Sequence, residues 1–313
     1  MASHLPTSEV SRRLECDTAD VWQIHSEALA RAEQGENILM LSVGDPDFPT
    51  PPDIAAYLVQ QVEHGRTHYS PAGGEPLLLD ALANLETRIE DRPFDAAQFT
   101  VFPGGTAALF ATFACIIDPG DEIVVPEPMY IGYRSIFAAI GASVVIVPLE
   151  AGTFDLSIDA LEARVAPRTR AVLLNTPGNP CGNIIDGETL HAAAAMCRDR
   201  SIWLICDEVY SMFTYDEDHV SALKVAEHLD NVIVIRQPLE IPRHEWLANR
   251  LDGRLAGVHD DAASLLWRGV LRYQPVHPGC CCVRPFGQYV TRFSKCVASI
   301  GHAAITPYSE SKS

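Results

Sequence analysis

The sequence predicts a doubly wound α/β domain built on a mainly parallel sheet, and three observations predict it. Between residues 98 and 236, short β-branched runs alternate with alanine-rich amphipathic stretches, the pattern of strands joined by crossover helices. The 313 residues are long enough for one large domain of this kind with part of a second. Chemically specific groups stand just after several of the apolar runs, where open α/β sheets collect their ligands.

Taken in order, Thr106–Ile116 predicts the first helix of this region, opening directly on a glycine pair. Strands follow at Glu122–Val125 and Ser143–Val147, both dense in valine and isoleucine. Ile158–Val165 predicts a helix, Ala171–Leu174 a buried strand and Gly187–Arg198 a second long helix. Trp203–Cys206 and Val232–Ile235 predict two further strands, with a helix over Ser221–His228 between them. After Ile235 neither period continues, and the remaining stretch carries a Cys280–Cys281–Cys282 triplet among scattered Arg, Trp and Pro. The expected organisation is an arm and small-domain segment over 1–45, a ligand-binding body over 46–236, and a poorly ordered tail over 237–313.

The formal charge of −18 argues against a nucleic-acid partner, because binding a phosphate backbone requires a cationic surface. The charge is also uneven. Residues 1–236 hold 14 Lys and Arg against 35 Asp and Glu, whereas residues 237–313 hold 9 against 6. No stretch is apolar enough to span a membrane, and the polar opening MASHLPTSEVSRRLECD does not read as a signal peptide, so a cytoplasmic location is expected. The body cysteines, Cys16, Cys115, Cys181, Cys197 and Cys206, show no metal-ligand spacing and read as reduced thiols.

Three segments carry candidate chemistry. Phe102-Pro103-Gly104-Gly105-Thr106-Ala107-Ala108 opens a helix, where backbone N–H groups can hold a phosphate or simply start an ordinary helix. Asn175-Thr176-Pro177-Gly178-Asn179-Pro180 follows a buried strand as a rigid turn, either plain or aimed back across the sheet. Asp207-Glu208-Val209-Tyr210 follows another apolar strand; a carboxylate there requires a cation, a cap or an internal ion pair.

Together these segments resemble the class I aminotransferases, fold type I of the pyridoxal-phosphate enzymes, over nearly all of residues 15–236. The resemblance rests on Gly44-Asp45-Pro46-Asp47-Phe48-Pro49-Thr50-Pro51, Tyr69 within HYSPAGG, Gly104–Ala107, Pro128-Met129-Tyr130, Asn175–Gly182 and Asp207–Tyr210, all in the family's order. Within the family the segments SVGDPDF, EPMY and DEVYS look most like arginine:pyruvate transaminases.

The resemblance implies pyridoxal 5'-phosphate as cofactor and an amino acid and a 2-oxo acid as substrates. It assigns Asp207 to the pyridine nitrogen, Asn179 and Tyr210 to the phenolic oxygen, and Tyr130 to the ring face. Gly105, Thr106 and Ala107 would hold the phosphate, and Tyr69 would reach the phosphate in a neighbouring subunit's site, which implies a homodimer. Gly44 matches the loop that lies against the substrate carboxylate.

The resemblance also marks a break. The family's strand at this point runs into S-L-S-K-x-x-x-x-x-G-W-R, whose lysine joins the cofactor as an imine and moves the proton. This chain instead reads Arg236-Gln237-Pro238-Leu239-Glu240-Ile241-Pro242-Arg243, with Glu240 in the lysine's slot and Ala248 in that of the phosphate-binding arginine. A carboxylate cannot form that imine. Plausible codons from Gln237 onward, read one base later, spell SLSKSHAMSGWRI, and the cysteine triplet becomes alanines within FIQDAAAY. The tail is therefore expected to be out of frame with the body, and this exact chain to lack turnover. Lys224, the one lysine before residue 237, lies too early to substitute.

Overall fold

The computed structural model describes residues 7–15, 23–44, 49–50, 52–237 and 269–272. Four helices come first: α1 (Glu9–Glu15), α2 (Gln23–Glu33), α3 (Pro52–Glu63) and α4 (Pro76–Glu90). Strand β1 (Phe99–Phe102) then leads into α5 (Gly105–Ile116), followed by β2 (Glu122–Glu127), α6 (Gly132–Ile140) and β3 (Ser143–Pro148). Next come α7 (Ile158–Glu162), β4 (Thr169–Asn175), α8 (Gly187–Asp199), β5 (Trp203–Asp207), α9 (Ala222–Val225) and β6 (Val232–Arg236). A last strand, β7 (Gly269–Arg272), comes from the stretch where the sequence shows no periodicity.

The sheet runs in the order β1-β7-β6-β5-β4-β2-β3. Strands β2 to β6 are mutually parallel, and β7 lies antiparallel between β1 and β6. Because β7 opposes both neighbours, β1 points the same way as β6. The carboxyl ends of β1, β4, β5 and β6 therefore share one edge of the sheet, and α5 begins just beyond that edge.

Alternation along each strand sends side chains to opposite faces, and both faces are covered. Val124, Val172, Leu174, Leu204, Cys206, Val232 and Val234 form one core layer with α8 and α9. Ile123, Val125, Ala171, Leu173, Ile205, Ile233 and Ile235 form the other, with α5 and α6. A smaller cluster joins Leu78, Leu82 and Ala83 of α4 to Phe99 and Val101 of β1. Burial of this kind, at about 25 cal/mol per Å² of apolar surface, drives the assembly.

Local chemistry sets the helix ends. Asp186 caps α8 by accepting from Thr189 N at 2.8 Å, and Ser157 caps α7 from Ala160 N at 3.3 Å. Two predicted helices are shorter in the structure. Helix α7 stops at Glu162, three residues before Val165. Helix α9 stops at Val225, because Ala226 turns extended and Arg92 Nη1 donates to the carbonyls of Leu223 and Ala226 at 3.3 and 2.9 Å. Both predicted starts hold to within a residue.

Candidate active site

The candidate site lies where the sheet's carboxyl edge meets the start of α5. Strand β4 ends on Asn175 and β5 on Asp207, paired across the ladder. Asn175 staples the edge: its Nδ2 donates to the Asp207 carbonyl at 2.9 Å, and its Oδ1 accepts from Asn179 N at 2.7 Å. The turn after β4 is thereby held so that Asn179 Nδ2 donates to the Tyr210 hydroxyl at 3.1 Å. Two polar tips from different loops thus point at one place. Asn183 packs close against Gly178, where a β-carbon would lie 2.3 Å from Asn183 Oδ1.

Asp207 is buried at the centre of the edge, 4% exposed. Burial pushes its carboxyl up to about 6, against the opposing effect of donation from Tyr133 and from the Val209 N–H. The Tyr133 hydroxyl donates to Asp207 Oδ2 at 2.5 Å, and Val209 N donates to Oδ1 at 3.3 Å. Burial, and then the charge of Asp207, push the Tyr133 phenol well above its ordinary value, so the proton stays on the phenol.

Tyr130 lies half-buried beside this pair, its ring edge-on to Tyr133 with centroids 5.3 Å apart. Its ring folds back over Gly132 so closely that a β-carbon there would meet Tyr130 Cε1 at 2.4 Å. At the neighbouring helix start, the N-cap residue Gly104 takes φ +95°, a conformation open to glycine, and offers no side-chain cap to α5. Gly105 is buried with the Val209 side chain close by, Thr106 is exposed and Ala107 half-buried. Gly105 N donates to Gln237 Oε1 at 3.3 Å, so the helix start already takes an oxygen acceptor.

Behind Asp207 lies a charged cluster that sequence reasoning did not find. Arg236, ending β6, reaches Glu86 at 2.5 Å, Glu90 at 2.6 Å and Glu208 at 2.8 Å. Glu208 also accepts from Ser221 Oγ at 3.0 Å and Ala222 N at 2.9 Å, and His219 Nε2 lies 3.2 Å away. Burial would raise the Glu208 carboxyl, but Arg236, His219 and the Ala222 N–H outweigh it and hold the group at about 2. The spacing of Glu86 and Glu90, one turn apart on an otherwise apolar helix face, was the available signal.

The structure thus brings together Asp207, Asn179, Tyr210, Tyr130 and Gly105, five of the residues singled out from sequence. Tyr69 and Gly44 stand apart: Tyr69 is 99% exposed, and Gly44 is exposed with open space where a side chain would project. Glu240 lies outside the described residues, as do Asp45–Phe48 of the motif following Gly44. Tyr133 was missed, although it follows Tyr130 by three residues at the start of α6.

Comparisons with known proteins bear on the family and the fold. The chain is 42% identical over 215 residues to an arginine–pyruvate transaminase of Pseudomonas aeruginosa, covering 68% of this chain and 55% of that protein. It is 32% identical to an aspartate aminotransferase of Geobacillus stearothermophilus, over 64% of this chain and 52% of that one. The chain therefore spans about half the length of these relatives.

Among solved structures, an aspartate aminotransferase from Thermus thermophilus with maleate superposes with a TM-score of 0.75 at 23% identity, covering 95% of this chain and 69% of that one. An alanine aminotransferase from Pyrococcus furiosus gives 0.76 at 23%, over 93% and 69%. These two show the fold, the mainly parallel sheet of the fold type I transferases. The family model for aminotransferase class I and II matches residues 36–236, and the chain belongs to that family.

Proposed function

We propose that residues 46–236 form a pyridoxal 5'-phosphate site of the aminotransferase type, serving amino-group transfer from an L-amino acid to a 2-oxo acid such as pyruvate. The observation that carries this reading is the convergence at one sheet edge of a buried carboxylate, Asp207, with the Asn179–Tyr210 pair and the uncapped start of α5. The residues fit the cofactor's distinct chemical parts. A buried carboxylate suits a protonated ring nitrogen, two polar tips suit a phenolic oxygen, and N–H groups at a helix start suit a phosphate.

When bound, pyridoxal phosphate supplies an electron sink for a carbanion at the substrate's Cα. The protein's part is to hold and orient. Asp207 keeps the ring nitrogen's proton, the Asn179 amide and the Tyr210 hydroxyl fix the phenolic oxygen, and Tyr130 covers one face. Gly105, Thr106 and Ala107 hold the phosphate through backbone N–H groups and the Thr106 hydroxyl. Tyr69, with its ring fully in solvent, serves a second subunit's phosphate in a homodimer, and Gly44 lies by the substrate carboxylate. A cytoplasmic setting goes with this reading.

A second reading is favoured by one observation, the identity of residue 240. With Glu240 in the lysine's slot, this polypeptide has no amine at that position to join the cofactor or to shuttle the Cα proton, and it acts as a non-catalytic cofactor-binding relative. A lyase on the same fold would share the site and also need the lysine. The deciding experiment is intact mass of the native protein with absorbance after adding pyridoxal phosphate. A mass above 34.2 kDa with a lysine-adduct band shows an active product in a restored frame; the 34.2 kDa mass without that band shows the non-catalytic relative.

A further inference from the structure

We infer that Tyr133 is a positioning residue that keeps Asp207 ionised and oriented for the cofactor's ring nitrogen. This rests on Asp207 being that nitrogen's partner, and it adds a residue which the motifs leave unassigned. Three observations carry it. Tyr133 is 1% exposed within an apolar layer, where phenylalanine would fill the space without placing a hydroxyl among hydrocarbon. That hydroxyl is spent on Asp207 Oδ2, at 2.5 Å. The ring is locked, edge-on to Tyr130 and tilted against Phe137 at 6.2 Å, so the donor is held in place before any ligand arrives.

The physical consequence follows from the surroundings of Asp207. Its neighbours from β4 and the turn after it are Asn175 and Asn179, which are neutral, and from α6 and the segment before it Tyr133 and Tyr130. Its own strand and turn supply Cys206, Glu208 and Tyr210. Glu208 is a like charge that disfavours ionisation, although Arg236 offsets it. Tyr133 is therefore the side chain that favours the charged carboxylate from the apolar side, opposing burial. Removing the hydroxyl leaves only the Val209 N–H donating against burial, which shifts Asp207 toward the neutral acid, a poor counterion for a ring N–H⁺.

The test uses the full chain with carboxyl-labelled aspartate, the Asp207 resonance being the one that disappears in Asp207→Asn. In Tyr133→Phe the carboxyl is expected to titrate about one to two pH units higher, from the loss of one hydrogen bond to a charged group. Pyridoxal phosphate, titrated by absorbance at pH 6.5, is expected to bind at least roughly ten-fold more weakly. Fluorotyrosine at position 133 keeps the shape while making the phenol a stronger donor, and it should move Asp207 the opposite way. An unmoved Asp207 in both variants overturns the inference, and so does a moved Asp207 with unchanged cofactor affinity. If the wild type takes up no pyridoxal phosphate while Asp207 still answers to Tyr133, the cofactor reading fails and with it the positioning role. If the wild type binds and Asp207 is unmoved, the cofactor reading stands and Tyr133 alone is rejected.

Discussion

Arg236 ends β6 and Glu208 follows directly on β5, and two guanidinium nitrogens of Arg236 converge on one Glu208 oxygen, at 3.1 and 2.8 Å. The pair sits directly behind Asp207, with Glu86 and Glu90 of α4 on the far side of the same guanidinium. One buried cation thus ties α4 to the strand ends that build the site. Removing it takes the shared cation away from three buried carboxylates. Arg236→Met is expected to lower unfolding free energy by about 3–5 kcal/mol, read by urea denaturation at pH 7. An unchanged denaturation midpoint would show that water reaches the carboxylates.

The same pair predicts acid behaviour. The Glu208 carboxyl, near 4.5 ordinarily, is held at about 2 in the folded chain, so it contributes stability that is fully present above pH 4.5. That contribution is lost as pH falls through about 2. Glu90 works in the opposite sense: burial, only partly offset by Arg236, raises its carboxyl above 4.5 and makes the folded state lose some stability as pH rises past that value. Denaturation midpoints measured between pH 5 and 2 should fall steeply in wild type. In Glu208→Gln, provided that it folds, the curve should be flatter; an equal slope would place the acid-sensitive group elsewhere.

Asp207 makes a contrary prediction. Its carboxyl is raised from 3.8 to about 6, so the folded chain loses stability as pH rises from about 4 to 6, and the cost persists above that. Two pH units correspond to about 3 kcal/mol. Asp207→Asn, which keeps an acceptor for Tyr133, should therefore be more stable than wild type at pH 7.5 by up to about that amount, while binding pyridoxal phosphate more weakly. Thermal and urea unfolding of the ligand-free proteins would check the sign, and a less stable Asp207→Asn would refute it. A stabilised variant with impaired binding is what a strained functional carboxylate implies.

How much of this was legible in the sequence depends on distance along the chain. Strands β2 to β6 announce themselves because burial on both faces demands unbroken apolar runs, as in Ala171–Leu174. Asp207, Asn179, Tyr210, Tyr130 and Gly105 could be singled out because each stands in a local motif at a strand or helix end. Tyr133 and the Arg236 cluster were not, since their partners lie 74 and up to 150 residues away. Nothing local distinguishes a tyrosine that donates to a buried carboxylate from one that merely fills a core. The strand β7 was likewise invisible, because Gly269–Arg272 pairs through backbone groups with β1 and β6 and needs no pattern of its own.

Gly132 offers a test of Tyr130's placement that leaves the fold intact. A β-carbon at 132 would press on the Tyr130 ring at 2.4 Å, and the ring, at the end of a rotatable side chain, can swing away. Gly132→Ala is therefore expected to change the melting temperature little and to weaken pyridoxal phosphate binding by roughly ten-fold, a stacking contribution of about 1 kcal/mol or somewhat more. The double variant with Tyr130→Ala should show no further loss, because both changes remove the same contact. Additive losses would mean that Gly132 acts by another route, such as the start of α6.

The last prediction concerns the tail. If Glu240 were the only defect, Glu240→Lys would restore an amine in the family's slot and, with it, a covalent adduct that survives borohydride reduction. Yet the proposed slot of the phosphate-binding arginine holds Ala248, and the chain spans about half the length of the relatives it matches. On the reading that the segment after Arg236 is out of frame, a lysine placed there has no neighbours selected to aim it or to lower its pKa. Glu240→Lys alone is thus expected to give no transaminase turnover, whereas a gene with one base adjusted after codon 236 should give a longer product with both the adduct and turnover. Turnover from Glu240→Lys alone would show that the body supplies everything except the amine, and that the segment after Arg236 folds in the family's manner despite its sequence.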